Sequence, residues 1–478
     1  MDKHLTGSLK QNLFIGILVL FFVAVSIQYS YKVMKGKSAI NRWAPQIQQM
    51  EAGEDIHKNF NYPNPPIMAL ILYPISELVT LNPMAGALTW FYLKVILAII
   101  SMLLAFRICE SAEQPFPLWA KIATILLSLR PIMGDLTHGN VNIFILFLVI
   151  SSLYSFKRGY DIGAGIILAL AIACKVTPLM FVAYFVWKRS VRVILGASIG
   201  LVLFFLVLPA LALGWNQNLH SLHSWFEVMI VPYVVGGVVT PEHNNQSLPG
   251  LLERLITSAP SFSTYIGDLY IPLRYDNFID VGPQNARIIV KLFMFLFGIV
   301  ILLTCRSPIN IKNQTKQSVR DNWYLSAEYA LIIIGMLLFS ERTWKHHCVI
   351  LLLPFAVIVY ALINKNIGRT RRLFLGGALV LATGFMATTA TGLSGENMGR
   401  LQDEATAAST LIGPGGTMMM TQQGIWTTNF GKQAQVYGAF VWAFICLVAG
   451  LSLILLSRSR ELAGSCLDTP ANRLRKAG

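Results

Sequence analysis

The chain has 478 residues, of which 55% are hydrophobic and only 13% charged, with a formal net charge of +15 and a mean hydropathy of +0.58. Soluble domains carry about 25% charged residues, so the composition excludes a soluble enzyme and predicts an all-α, polytopic integral membrane protein. The positive charge does not indicate nucleic acid. Much of it sits in short loops beside apolar runs, at Lys188/Arg189/Arg192, Lys312/Lys316/Arg320, Lys365/Arg369/Arg371/Arg372 and Arg458/Arg460/Arg473/Arg475/Lys476, where it reports topology and attraction to anionic lipid. Six scattered cysteines without a CxxC pair indicate neither a disulfide framework nor a metal site.

Apolar runs predict about 11–13 transmembrane helices in a single polytopic domain over 1–478, at about 13–31, 84–108, 118–133, 141–156, 161–174, 177–187, 191–213, 287–305, 323–340, 348–364, 373–393 and 435–457. The first is long enough to cross and no small-residue cleavage site follows it, so it reads as a permanent anchor. With the N-terminus inside, the Lys/Arg-rich loops share the cytosolic face with a C-terminal tail at 458–478. Three long outer loops remain, at about 32–83, 214–286 and 394–434. The first contains an interfacial helix, Ile67–Val79.

The stretch from Asp161 to Trp187 has basic clusters at both ends. One helix would put a cluster on the wrong side. Two short helices turning at Lys175-Val176-Thr177-Pro178 keep both inside, with Pro178 opening the second. Each arm is too short to cross about 30 Å of hydrocarbon, so Lys175 would end in a recess. A single kinked helix with a snorkelling Lys175 is the alternative.

Several cations then fall on the outer side, where the positive-inside rule disfavours them: Lys32/Lys35/Lys37/Arg42, Lys175, and Arg342-Thr343-Trp344-Lys345-His346-His347. An anionic partner, a lipid-linked phosphate, would compensate them. Arg342 offers a planar fork, Lys345 and Lys175 point charges, and His346 and His347 titratable donors; a solvated loop with interfacial Trp344 is the plainer reading. Arg130 to Asn142 is the densest polar stretch between two spans. Its Asp135 can serve as a general base toward a sugar hydroxyl or pair with Arg130, with His138, Asn140 and Asn142 nearby as sugar contacts. Glu51, Glu54 and Asp55 in the first loop could be a base, a metal ligand or a solvated charge run. Asn245-Gln246-Ser247, beside Glu242, suits recognition of sugar hydroxyls, although it also matches a frequent glycosylation pattern. Lys94 and Glu328 lie within spans and read as helix–helix pairing groups.

Five pieces in one order resemble a known family: Tyr62-Pro63-Asn64-Pro65-Pro66, His138-Gly139-Asn140-Val141-Asn142, Leu168 to Pro178, Asn245-Gln246-Ser247-Leu248-Pro249-Gly250-Leu251-Leu252, and Trp344-Lys345-His346-His347. The order is similar to glycosyltransferase family 87. The resemblance implies a C-superfamily bundle with a cavity on the extracytoplasmic side. It also implies transfer of a hexose, typically mannose, from a polyprenyl-phosphate donor to a glycan or glycolipid acceptor at the bilayer. Lys175 and Lys345, with Arg342 or His346, would hold the donor phosphate. The superfamily usually carries a catalytic Asp soon after the first span, but Lys32 to Pro45 holds no acid and Asn41-Arg42 stands near that place. The base is then expected at Asp135 first, or at Glu51 or Asp55. No cofactor is required, although the acidic loop could hold a divalent metal. The family points to a bacterial inner membrane with both termini cytoplasmic. The rival readings are a transporter or flippase, or a non-catalytic binder, of polyprenyl phosphate or another anionic lipid.

Overall fold

The computed structural model describes residue 16 and residues 20–111, 114–266, 269–311, 314–364, 367–389 and 430–467. The N-terminal residues, most of the third expected outer loop (394–429) and the tail from 468 lie outside them. The described residues are 77% helical. Among them, five helices are long and apolar enough to cross a membrane, and several apolar helices of 10–17 residues accompany them. The chain is an integral membrane protein.

It divides into two compact units, each built from separated segments. The first takes in the described part of Met1–Ile108, with Ile125–Pro232 and His346–Leu352. Its helices are α1 (Leu20–Met34), α2 (Ala39–Glu51), α3 (Ile56–Phe60), α4 (Pro66–Leu81), α5 (Pro83–Cys109), α6 (Leu118–His138, from Ile125 onward), α7 (Asn142–Lys157), α8 (Asp161–Cys174), α9 (Met180–Trp187), α10 (Val191–Leu213) and α11 (Trp215–Met229). The apolar segment Ile67–Val79 is helical, as α4. The outer loop expected at 32–83 is largely helical.

Two details position the polar residues. Helix α6 does not stop at 133 but continues through Pro131 to His138, because only a short turn is needed before α7. Asp135 and His138 therefore stand on its last turns rather than in a loop. Gly139 makes that turn at φ +74°, and a Cβ there would meet Ser38 Oγ at 2.6 Å and Tyr29 OH at 2.8 Å; glycine alone fits both demands. The second detail is the break after α8. Lys175 is extended (φ −160°, ψ 122°) and a 3₁₀ turn, Thr177–Leu179, leads into α9. Pro178 explains the break: in a continuous helix its ring would strike the carbonyl of Cys174. The two short arms expected from sequence are thus present. Close packing of α8 on α10 fixes Lys175 further. A Cβ on Gly165 would come within 2.1 Å of Val193 O, and one on Gly196 within 2.2 Å of Ile162 O, the small-residue contact of membrane helices.

The second unit comprises Cys109–Thr124, Tyr233–Lys345 and the described part of Leu353–Gly478. It contains α12 (Leu248–Ile256), an antiparallel hairpin of β1 (Phe262–Ile266) and β2 (Leu269–Arg274), α13 (Gly282–Thr304), α14 (Trp323–Leu338), α15 (Leu352–Ile363), α16 (Arg369–Thr388), α17 (Phe430–Val436) and α18 (Ala439–Leu467). The span expected at 435–457 is interrupted at its start, where Gly438 turns the chain at φ +71° between α17 and α18. Phe262, Ile271, Leu273 and Val436 form a small core under the hairpin.

Candidate functional site

In the first unit, charged and polar groups on α5, α6, α7 and the α8–α9 break meet around Asp135. This carboxylate is fully buried, and so is Lys94, whose Nζ lies 3.5 Å from Asp135 Oδ2 and donates to the Asp135 carbonyl at 2.8 Å. Asn142 Nδ2 donates to Asp135 Oδ1 at 2.9 Å, and the Ile143 N–H to Oδ2 at 3.2 Å. On its other side Asn142 Oδ1 accepts from Lys175 Nζ at 2.6 Å. The result is a line, Lys94–Asp135–Asn142–Lys175, that ends on the half-buried ammonium of Lys175.

Two imidazoles lie alongside. The His138 and His346 rings stack at 4.5 Å and 23°, and Asn140 Nδ2 stands 3.4 Å from His346 Nε2. His138 Nδ1 is buried without a hydrogen-bond partner. Asp135, Arg42, Lys32 and Lys94 act electrostatically on His138, and Asp135, Lys175 and Lys94 on His346. Lys32 Nζ also donates to Thr137 Oγ1 at 3.1 Å. Lys94 thus faces the carboxylate directly and Lys175 through Asn142, while Lys32 and Arg42 act on the neighbouring His138. Isolated buried charge is costly, and this excess is what a phosphate would neutralise.

The structure therefore brings Asp135, His138, Asn140, Asn142, Lys175 and His346 into one cluster. His347 follows His346 on a 3₁₀ helix, Lys345–Leu351, edge-on to it at 4.7 Å. Some expected roles change. Asp135 pairs with Lys94, not Arg130. Asn142, expected as a sugar contact, has both ends of its amide engaged between Asp135 and Lys175.

Glu51 and Asp55 lie in the first unit too. Glu51 accepts from Tyr73 OH. Asp55 Oδ1 caps α3 by accepting from the His57 and Lys58 N–H groups, each at 3.1 Å, while Oδ2 faces the exposed His220 Nε2 at 3.2 Å. Among the described residues, no three His, Cys, Asp or Glu side chains assemble as a metal-ligand group.

The remaining candidates belong to the second unit. Arg342 donates from Nε and Nη2 to Thr240 Oγ1 at 3.1 and 2.7 Å and lies over the Trp344 ring. Lys345 Nζ donates to the Thr389 carbonyl at 2.9 Å. The Asn245-Gln246-Ser247 expectation is corrected by geometry. Asn245 Nδ2 donates to the Thr240 and Glu341 carbonyls, and its Oδ1 accepts from the Ser247 and Thr343 N–H groups. Gln246 Nε2 donates to the His243 and Gln435 carbonyls, and its Oε1 accepts from Phe440 N–H. Ser247 Oγ caps α12. All three are fully buried, so these side chains fasten loops together and face away from any bound sugar that would need an exposed contact.

Lys94 does pair one helix with another, as its sequence reading has it, and its partner is Asp135. A lysine in the middle of a 27-residue apolar helix was the signal for it. Sequence reasoning missed two residues of the cluster, Lys32 and Arg42, which were noted as misplaced cations but not assigned to the site.

Comparison with known proteins places residues 62–271 in a match to the model of glycosyltransferase family 87. The motifs at 62–66, 138–142, 168–178 and 245–252 fall inside that segment, and Trp344 to His347 outside it. Two curated relatives are polyprenol-phosphate-mannose-dependent alpha-(1-2)-phosphatidylinositol mannoside mannosyltransferases. That of Mycolicibacterium smegmatis is 28% identical over 148 residues, covering 31% of this chain and 32% of the relative. That of Mycobacterium tuberculosis is 27% identical over 177 residues, covering 34% of this chain and 41% of the relative. The matched region thus spans well under half the length of either relative. A solved structure, ArnT from Cupriavidus metallidurans bound to undecaprenyl phosphate, aligns over 94% of this chain and 79% of its own at 15% identity, with a TM-score of 0.34, too low to add to the fold argument.

Proposed function

Starting from the glycosyltransferase family 87 match over residues 62–271, we propose that the protein transfers a hexose, mannose first, from a polyprenyl-phosphate donor to a glycan or glycolipid acceptor at the outer face of a bacterial cell membrane. The observation that carries the reading is the buried line Lys94–Asp135–Asn142–Lys175, with Lys32 and Arg42 acting on the neighbouring His138. Such a site suits a phosphate held at membrane depth.

Lys175 binds the donor phosphate directly. Asp135, its oxygens already facing Lys94, Asn142 and Ile143 N–H, acts as a positioning residue. It fixes Asn142, and Asn142 aims Lys175. The general base is Asp55: its Oδ2 faces the exposed imidazole of His220, which can carry a proton to solvent, with Ser224 alongside. In the reaction the acceptor hydroxyl gives its proton to Asp55 as its oxygen bonds to the anomeric carbon. The bond from that carbon to the phosphate oxygen breaks, and its electron pair leaves with polyprenyl phosphate. The charge that develops there is stabilised by Lys175, as preorganised cations stabilise leaving groups elsewhere.

The test uses purified protein in nanodiscs with radiolabelled polyprenyl-phosphate mannose and a membrane lipid extract. Wild type is compared with Asp55→Asn and Lys175→Ala. The expected result is transfer by wild type, loss of transfer with retained donor binding in Asp55→Asn, and loss of donor binding in Lys175→Ala. Donor binding that depends on Lys175, without transfer from any sugar donor, would replace the enzyme with a lipid carrier or binder.

A further inference from the structure

One spanning helix of the second unit carries two cations where lipid would cover it. In the most apolar stretch of α13 only 6% of the residues are buried inside the protein, against 83% for Lys345–Ile363. Hydrocarbon, not protein, therefore surrounds most of α13. Arg287 and Lys291 lie on it one turn apart, and Lys291 is exposed. Nine residues from Gly282, Lys291 sits about 13.5 Å along the helix. At that depth an ammonium has to reach back toward the headgroups or meet an anion.

Two apolar loops border the same end of the helix. Arg287 packs on Gly237, where a Cβ would meet its Cδ and Nε at 2.8 Å. Beside that glycine, Val234 and Val235 are each 75% exposed. The loop entering α13 is held to the last turn of α12, since the Phe278 and Val281 N–H groups donate to the Leu255 and Ile256 carbonyls at 2.9 Å. Phe278 stacks on the exposed Tyr437, yet it too is 75% exposed, and Ile279 beside it is exposed as well. These side chains continue the lipid-facing surface of α13 onto the loops at its start. A surface of that kind lies in the interfacial layer of a bilayer.

Charge decides which lipid suits it. Arg287 Nε is buried and meets no hydrogen-bond partner among the described residues. Glu253 on α12 lies within electrostatic reach of Arg287 and can answer one of the two cations. Asp280 is engaged at the start of α13, where it accepts from the Gly282 N–H and the Ser258 hydroxyl. Like charges four residues apart on a helix repel, so the pair is left with positive charge to neutralise. A phosphate between them would receive the guanidinium fork and the ammonium together, while its acyl chains lay along α13. We propose that Arg287 and Lys291, bordered by the loops at 234–238 and 275–279, bind the headgroup of an anionic phospholipid in the adjoining leaflet. None of these residues belongs to the Asp135 cluster. The site requires that α13 span the bilayer, and it does not depend on glycosyl transfer.

The test reads lipid beside the site itself. A bimane fluorophore on Ile288→Cys, an exposed position next to Arg287, is quenched by brominated phosphatidylglycerol or brominated phosphatidylcholine in vesicles holding the full chain. The label should prefer phosphatidylglycerol, and adding Lys291→Gln should lower that preference about fivefold. Lys291 is exposed, so this variant should unfold at the unaltered temperature; Arg287→Gln is the second variant and should act in the same direction. Equal quenching by the two lipids, or a preference that survives both substitutions, overturns the proposal. Unlabelled phosphatidylglycerol should displace the brominated lipid at least as well as undecaprenyl phosphate does. Displacement by undecaprenyl phosphate at a tenth of that concentration would assign the site to a polyprenyl carrier instead. A dimer in analytical ultracentrifugation that Phe278→Asp converts to a monomer would put a second copy of the chain on this face and overturn the lipid site.

Discussion

The cluster around Asp135 and the cluster around Arg254 are both buried, polar and cationic, yet they differ in what remains after internal bonding. Arg254, fully buried in the second unit, donates to the carbonyls of Val436, Gln435, Pro241, Glu242, Asn245 and Gly250. Together with Asn245 and Gln246 it satisfies the carbonyls around it from within the chain. Both leave an imidazole nitrogen unbonded, His138 Nδ1 and His243 Nδ1, but the Asp135 cluster also leaves cationic charge in excess. A buried polar group that is internally complete holds a fold together; one that is internally incomplete is prepared for something from outside.

That contrast can be broken in four ways. The largest effect is expected at the complete cluster. Arg254→Leu takes a donor from six carbonyls, of which those of Gln435 and Glu242 keep another, and loss of at least about 4 kcal/mol of stability is expected, read by thermal unfolding in nanodiscs. A variant that unfolds like wild type would mean that the hub is ornamental. Next comes Lys175→Ala, expected to cut transfer by about 100-fold or more while the unfolding temperature stays near that of wild type. A comparable loss of stability would make Lys175 a structural group like Arg254.

The third test uses acid. Burial, helped by Lys432 and Arg254, pushes the His243 imidazole down to about 3, whereas an unfolded histidine titrates near about 6.5. The folded chain therefore refuses a proton that the unfolded chain takes up, so this contribution is neutral above about pH 6.5 and destabilising below it. From pH 6.5 to 5 the expected cost is about 2 kcal/mol, and His243→Gln should flatten the slope by about one proton. An unchanged slope would show that some other group titrates. The smallest effect belongs to Asn142→Leu, which frees Lys175 without removing its charge. About a tenfold weaker donor binding is expected, appearing in KM more than in kcat, with partial rescue by Asn142→Gln. A pure loss of stability with unchanged KM would deny it a positioning role.

Much of the scaffold was legible from the chain. Apolar runs fixed the helices at 161–174 and 191–213 to the residue, since hydrocarbon thickness and the 1.5 Å rise per residue constrain length strongly. Pro178 and the flanking basic clusters announced the break at Lys175, because a proline ring and a carbonyl four residues back conflict in any context. The motifs in order announced the family segment. Roles within the site were less legible. Asn142 and Asn245 are the same residue type in similar polar runs, yet one aims a cation and the other ties loops.

The sequence by itself determined that the chain is a helical membrane protein and that it breaks at Lys175. These follow from local rules and from the cost of charge in hydrocarbon. Only the tertiary structure decided that Lys94 on α5 faces Asp135 on α6, that Asn142 connects Asp135 to Lys175, and that Asn245 and Gln246 fasten loops together. Those outcomes depend on which distant side chains share a space, and hydrogen-bond partners far apart along the chain leave no periodic trace in it.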